Sequence, residues 1–374
     1  MRIVSLTGLE YRHRFDAMSW NPAYRWRERR VPLVAIATAD GRVGFGEGCC
    51  DQDQIALFFA HLEHWVAPRL LGADARNREA IWNTLWGLDA SSSAPWVAAS
   101  CASAVDLALW DLAAQATGKP IADLLGAIDL STPVYASGGL YAEGKTPGAL
   151  ASEMTSYVAR GFEAVKMKMG GLPLEEDIAR VAAVRRALGG RAIIVDAVAS
   201  YDRDGAISAV RRLADFGVVA IQAPIDPRDS EGMKAIGICA PVAVIGVETE
   251  FRFAVFKDLI ASRAISWLQF NLGLAGGLTQ GRRLIALAES AGIPVTLQCH
   301  GTAVLLAHSL HCGAARRSVN FVEYHMFQTH LYEYLPPDLR QIQQGRVMVG
   351  PGPGLGLSDP RGATGVRSIV SCTV

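Results

Sequence analysis

Apolar residues recur along this chain with two different periods, and the change from one to the other divides it. Up to about residue 48 they alternate. Leu33 to Thr38 and Val43 to Phe45 flank Asp40-Gly41, a turn pair that predicts an antiparallel hairpin. Ala17 to Trp26 is aromatic and aperiodic and reads as a surface loop with a packed tryptophan, or as a loop covering a substrate. From 53 to 128 the spacing becomes helical. Ile55, Phe58, Phe59, Leu62 and Val66 share one stripe, and Ile81, Leu85 and Trp86 another. Ala98 to Ala116 predicts a long Ala-rich helix with Val105, Leu109 and Leu112 on one face, stopped by Gly118-Lys119-Pro120.

From about 131 short apolar strands alternate with amphipathic helices such as Glu175 to Leu188 and Gly277 to Ala291. The predicted strands are Val134–Ser137, Ala164–Lys168, Ile193–Asp196, Val218–Gln222, Ala243–Val247, Ile265–Gln269, Val295–Gln298 and Val319–Glu323. Eight strand–helix units predict an α/β fold with a modified (β/α)8-type barrel. A polar residue recurs at or just after the strand ends, at 168, 196, 222, 248, 271, 298 and 323. Barrel active sites are built at those ends, so these side chains would meet at one mouth. Beyond Glu323 the pattern is irregular and reads as a tail whose short strands return to the first domain. The expected division is an α+β capping domain over 1–130, the barrel over 131–328 and a C-terminal segment over 329–374 that completes the cap.

Within this pattern Lys166 and Lys168 are anomalous. They sit on one face of Val165-Lys166-Met167-Lys168-Met169, a strand otherwise apolar enough to be buried. Burying an ammonium costs several kcal/mol unless it finds a partner or loses its proton. The pair therefore faces water or lines a site. Asp196 and Glu248 end non-adjacent strands with the Gln222 amide between them. Such an oxygen set suits Mg²⁺; the other reading is simple ion pairing with the two lysines. A lysine beside a bound cation has its pKa lowered, which suits a general base.

Composition narrows the possibilities. Among 374 residues, Lys plus Arg and Asp plus Glu are 36 each. Zero net charge gives no basic surplus for nucleic acid or an anionic membrane. No apolar run is expected to span a membrane, and no signal peptide is read at the N-terminus. The seven cysteines lack disulfide or metal-type spacing, which predicts reduced thiols and a cytoplasmic location. His308, His311, His325 and His330 are expected to be surface or packed histidines.

Several motifs together resemble the enolase superfamily, of the mandelate racemase and muconate lactonizing enzyme type. They are Gly44-Phe45-Gly46-Glu47, the helix segment Ala104 to Leu112, Gly161-Phe162-x-Ala164-Val165-Lys166-Met167-Lys168-Met169-Gly170, Gly276-Gly277-Leu278-Thr279 and Pro353-Gly354-Leu355-Gly356. The resemblance implies removal of a proton α to a carboxylate of a hydroxy- or sugar-acid by a dehydratase, epimerase or cycloisomerase. A divalent cation, Mg²⁺, would stabilise the enediolate. It implies Lys168 as base, Lys166 and Glu323 near the substrate carboxylate, and Asp196, Gln222 and Glu248 as metal ligands. It also implies a homo-oligomer.

This chain departs from the family at two places. Gln222 stands where the second metal ligand is usually Glu, and Asn271 where the opposing dyad usually has Asp. The dyad histidine is either His300, which Gly301 follows as in the family, or absent, with Gln298 in its place as the strand spacing suggests. His300 is the preferred reading, with Gln298 then a substrate contact. Asn271 cannot stabilise an imidazolium as Asp would, so efficient two-base racemisation is not expected. The alternative function is a small-acid binding protein that kept the pocket and lost proton transfer.

Overall fold

The computed structural model describes residues 1–87, 94–127, 129–327, 332 and 334–374. His330, the end of the expected helical tract at 128 and the expected boundary at 328/329 lie outside the described residues.

The first two strands, Ile3–Trp20 and Arg25–Thr38, form a long antiparallel hairpin, and Val43–Glu47 pairs with the second. Ala17 to Trp26 is therefore not a loop. The strands run into it and turn only at Asn21, whose side-chain oxygen accepts from the amides of Ala23 and Tyr24. Local hydrogen bonding by an Asx side chain built this turn without any hydrophobic period to announce it.

The helical tract holds Ile55–His61, Arg78–Trp86 and the long helix Pro95–Thr117, which ends at Gly118 in the left-handed conformation. Pro95–Thr117 is long and apolar enough to cross a membrane, whereas no apolar run of that length was expected; a buried core helix has the same character. Here its stretch from Val97 to Leu112 is buried throughout. Its small residues let the cap sheet approach closely: a Cβ built on Gly46 would lie 1.9 Å from the Ala104 carbonyl oxygen, and one on Gly44 2.3 Å from that of Ala108. Two buried aspartates on this helix bind backbone. Asp106 accepts from the Thr279 amide at the start of a barrel helix, and Asp111 from the amides of Phe45 and Leu355.

All eight expected barrel strands form, each within a few residues of its predicted span. In order they are Ser131–Ser137, Ala164–Lys168, Ala192–Asp196, Ala220–Gln222, Ala243–Gly246, Trp267–Asn271, Val295–Gln298 and Val319–His325. Consecutive members pair in parallel, and the last closes on the first through Val322–Val134 to His325–Ser137. Alternation divides each strand. Val165, Met167, Ile193 and Val195 pack outward in the main core, whereas Tyr135, Ala164, Ile194, Ala220 and Ile245 plug the barrel floor.

The tail differs in part from expectation. Arg346–Met348 pairs with the first barrel strand; Gly354 and Leu355 bond to the cap at Pro120 and Asp111, and the strand Val366–Thr373 pairs with Ile3–Trp20. None of the seven cysteines forms a disulfide.

The Gly46 contact leaves no room for a methyl group. Gly46→Ala should lower unfolding free energy by about 3 kcal/mol, the upper range for overpacking. Chemical denaturation against the wild-type chain measures this.

Candidate functional site

The barrel register sets which polar side chains meet. Lys168 is level with Asp196, and Asp196 with Gln222, across three neighbouring strands. Because inward positions repeat every two residues, Lys166 lies one tier below Lys168. Both ammonium groups sit at the mouth in a common field of carboxylates.

Lys166 is fully buried above the ring of Tyr135. Its Nζ lies 2.7 Å from Glu323 Oε1, donates to Gln222 Oε1 at 2.7 Å and lies 3.6 Å from Asp196 Oδ2. Burial disfavours its charge. Glu323, Tyr135 and Asp196 together outweigh that and hold its pKa well above the ordinary lysine value. Glu323 is likewise buried, which alone would raise its pKa, but Lys166, His325 and Lys168 pull it down to about 2. This pair is therefore a fixed ion pair at neutral pH. Lys168 instead pairs with Asp196 and is the more exposed of the two lysines. Asp196 also accepts from the Val198 amide at 3.1 Å.

Glu248 follows the fifth strand and faces Asp196. Burial and then the Asp196 charge raise its pKa. The Gln222 side chain bridges the site, accepting from Lys166 and bonding to Glu248. Among the described residues no group of three or more His, Cys, Asp or Glu side chains forms a metal cluster. Asp196 and Glu248 are nonetheless two oxyanions that repel across a shared space, with an amide between them. That donor set fits a small hard cation that keeps water in its remaining positions.

On the opposite side, Asn271 and Gln298 are level on adjacent strands, and Asn271 Nδ2 donates to Gln298 Oε1. Asn271 Oδ1 accepts from the Gly273 amide at 2.7 Å. The side-chain partner of Asn271 is thus Gln298. His300 lies two residues further on, beyond the strand. Its ring packs 4.7 Å from that of His325 and 5.8 Å from that of Trp26, and Arg29 donates to its carbonyl at 2.8 Å. Burial, then Arg29, His325 and the two lysines, depress its pKa well below the usual histidine value. His325 is depressed to about 3, chiefly by burial. Both rings are neutral at neutral pH.

Sequence reasoning passed over four residues at this mouth. His325 ends the last strand and shares the inward face with Glu323; the period-two rule that selected Lys166 and Lys168 would have selected it too. Tyr135 carries the same signal on the first strand. Arg29 carries none, because it comes from the cap; Glu47 ends the Gly44-Phe45-Gly46-Glu47 motif, which gave its side chain no role at the mouth. Glu47 is buried and accepts from the amides of Thr302 and Leu305, which clamps the segment after the seventh strand. Its pKa is raised to about 7, mainly by burial.

Comparison with known proteins decides the family. The model of the mandelate racemase / muconate lactonizing enzyme N-terminal domain matches residues 24–126, and the enolase C-terminal domain-like model matches 149–359. The chain belongs to the enolase superfamily, in its mandelate racemase and muconate lactonizing enzyme group. Its relatives include an arabinonate dehydratase of Saccharolobus solfataricus, 31% identical over 338 residues, 88% of each chain. A 3,6-anhydro-alpha-L-galactonate cycloisomerase of Streptomyces coelicolor is 32% identical over 326 residues, 87% of each. Among solved structures, a racemase from Streptomyces coelicolor with bound magnesium superposes with a TM-score of 0.87 at 29% identity, covering 95% of this chain and 97% of its own. An L-talarate dehydratase from Polaromonas sp. JS666, complexed with Mg and L-glucarate, gives 0.85 at 27% identity, covering 100% and 99%. Enolase-superfamily relatives of this chain are thus dehydratases, cycloisomerases and epimerases.

The Lys166–Glu323 pair predicts strong coupling. Lys166→Met leaves Glu323 buried beside Asp196 with less cation and should cost about 3 kcal/mol. The double variant Lys166→Met/Glu323→Gln should cost clearly less than the sum of the two single changes. Urea unfolding of the four proteins in a double-mutant cycle measures it.

Proposed function

We propose that this chain is an enzyme that removes the proton α to the carboxylate of a hydroxy- or sugar-acid, with Lys168 as the base. The supporting observation is the different bonding of the two lysines. Lys166 is locked to Glu323 and Gln222 in the buried tier, so its role is a fixed positive charge for the substrate carboxylate. Lys168 is the more exposed of the two, with Asp196 as its only ion-pair partner among the described residues, and it acts as base from its neutral amine form. Glu323, held ionised by Lys166, orients that ammonium rather than exchanging protons.

Asp196 and Glu248, with Gln222 between them, would hold a divalent cation, and the magnesium in two structural neighbours supports this assignment. When bound, the cation supplies positive charge where negative charge develops on the substrate carboxylate. An amide in place of a carboxylate weakens the hold, and Gln222 would have to share its oxygen with Lys166 or turn it away.

The reaction proposed is a one-base process, a dehydration or a cycloisomerisation. Asn271 and Gln298 form a neutral amide pair on the far side of the mouth, and neither can accept or release a proton at neutral pH. Two-base racemisation requires a proton carrier on each face. In a dehydration, Lys168 takes the α-proton, and the hydroxyl on the neighbouring carbon leaves as water with a proton returned by the Lys168 ammonium. The enol product then becomes a 2-keto acid. His300 sits beyond the amide pair as a neutral imidazole. Its role in this reading is to orient the leaving hydroxyl by hydrogen bonding.

Incubation of a panel of sugar acids in D₂O with added Mg²⁺ should give α-proton exchange or a 2-keto acid with at least one of them, read by NMR. Lys168→Met should abolish both. Absence of exchange over the whole panel, together with acid binding seen by calorimetry, would leave a binding protein. Chelation should stop the reaction, and Gln222→Glu should lower the Mg²⁺ concentration for half-maximal activity roughly 10-fold, about 1.4 kcal/mol for the restored carboxylate.

A further inference from the structure

Lys168 is the last residue of its strand, so the main chain beyond it must find hydrogen-bond partners outside the sheet. Every amide from 168 to 172 has one. Lys168 donates to the Gly139 carbonyl at 3.4 Å and Met169 to the Asp196 carbonyl at 3.0 Å. Gly170 and Leu172 donate to Asp177 Oδ2 at 2.7 and 3.4 Å, and Gly171 to the Tyr141 hydroxyl at 3.1 Å. The Lys168 carbonyl accepts from Arg180 Nη1 at 2.9 Å, and Arg180 Nη2 donates to the Gly139 carbonyl at 3.2 Å.

Three side chains form this cradle, and they bind one another. Arg180 pairs with Asp177, and Tyr141 donates to Asp177 Oδ1 at 2.6 Å. The Arg180 guanidinium lies 3.9 Å from the centroid of the Tyr141 ring. All three residues are buried.

Asp177 and Arg180 belong to the helix Leu174–Leu188, whose other buried positions, Ile178, Val181, Val184 and Leu188, pack in the apolar core. Apolar residues at 177 and 180 would simply widen that stripe. A buried ion pair is often no more stabilising than apolar side chains of similar volume. Stability alone therefore does not account for the pair. What it does instead is bind the main chain of Lys168 and of the turn that follows.

We propose that Asp177, Arg180 and Tyr141 are positioning residues for the base. They fix the backbone from which the Lys168 side chain reaches, and they act through Lys168 rather than on the substrate. A lysine amine sits at the end of a flexible four-carbon stem, so a defined origin limits where it can meet the α-proton. Displacing a reacting group by about 1 Å costs roughly 100-fold in rate. This inference rests on the reading of Lys168 as base.

The test is steady-state turnover, with Mg²⁺, of a sugar acid that the wild-type chain converts, with Lys168→Met as reference. Arg180→Met removes both main-chain bonds and should lower kcat about 100-fold while KM stays within about twofold. Arg180→Lys keeps the charge beside Asp177 but not the fork that reaches two carbonyls, and should regain about 10-fold of that loss. Tyr141→Phe keeps the ring and removes only the hydroxyl, so it reads the contact even where Arg180→Met fails to fold. It should lower kcat about 10-fold, roughly one hydrogen bond. In each variant the α-deuterium isotope effect on kcat should stand at its full primary size, because proton removal becomes the slow step. A smaller folded fraction would scale kcat and leave the isotope effect as in the wild type. Wild-type kcat in folded Tyr141→Phe and Arg180→Lys, or a loss carried by KM, overturns the proposal and leaves Lys168 as the base. Turnover retained in Lys168→Met, or no turnover of any sugar acid by the wild-type chain, overturns the base assignment and this proposal with it.

Discussion

The buried ion pair between Lys166 and Glu323 is the constraint around which the barrel mouth is arranged. Two ammonium groups on one inward face of a strand are tolerable only if carboxylates meet them from other strands. Glu323 on the last strand and Asp196 on the third do so. Each partner is near the other only when the barrel is closed, because Glu323 is level with Tyr135 through the pairing of the last strand with the first. Closure and charge compensation are thus one event. A barrel left open would strand Lys166 without Glu323.

The cap acts on this mouth from above. Glu47 and Arg29 both reach the segment after the seventh strand, one through the Thr302 and Leu305 amides and the other through the His300 carbonyl. The backbone carrying His300 is therefore held by cap residues as much as by the barrel. The same hairpin places Trp26 against the His300 ring and carries Trp20 and Arg25 to the rim. Glycines at 44 and 46 let that sheet press against Pro95–Thr117, so the hairpin rests on a rigid base.

The neutral Asn271–Gln298 pair gives the mouth its asymmetry. On the Lys168 side every polar group is charged or bonded to a charge. On the far side the bridging groups are amides, and the two histidines beyond them are kept neutral by burial and by the surrounding cations. Such a mouth is suited to moving protons on one face of a bound acid and to holding the other face in place.

Periodicity alone made the fold legible. Eight apolar strands at regular intervals, with polar ends, located the barrel and its mouth, and the Lys-x-Lys alternation pointed to the candidate site. The motifs placed the chain in its family. Residues whose role depends on a partner far along the chain were not legible. The Asn21 turn replaced an expected loop because a single side chain satisfied two amides. The contacts of Arg29 and Glu47 carry no local signal, since they lie more than 250 positions away. The partner of Asn271 depended on strand register: Gln298 and His300 are two residues apart and share a parity, and only the pairing that sets Gln298 level with Asn271 chose between them. Chain order determined which chemical groups reach the mouth, because alternation along a strand is a local property. Which of them touch was decided only by closure of the barrel and the descent of the cap, because hydrogen bonds between strands depend on register and on distance in space.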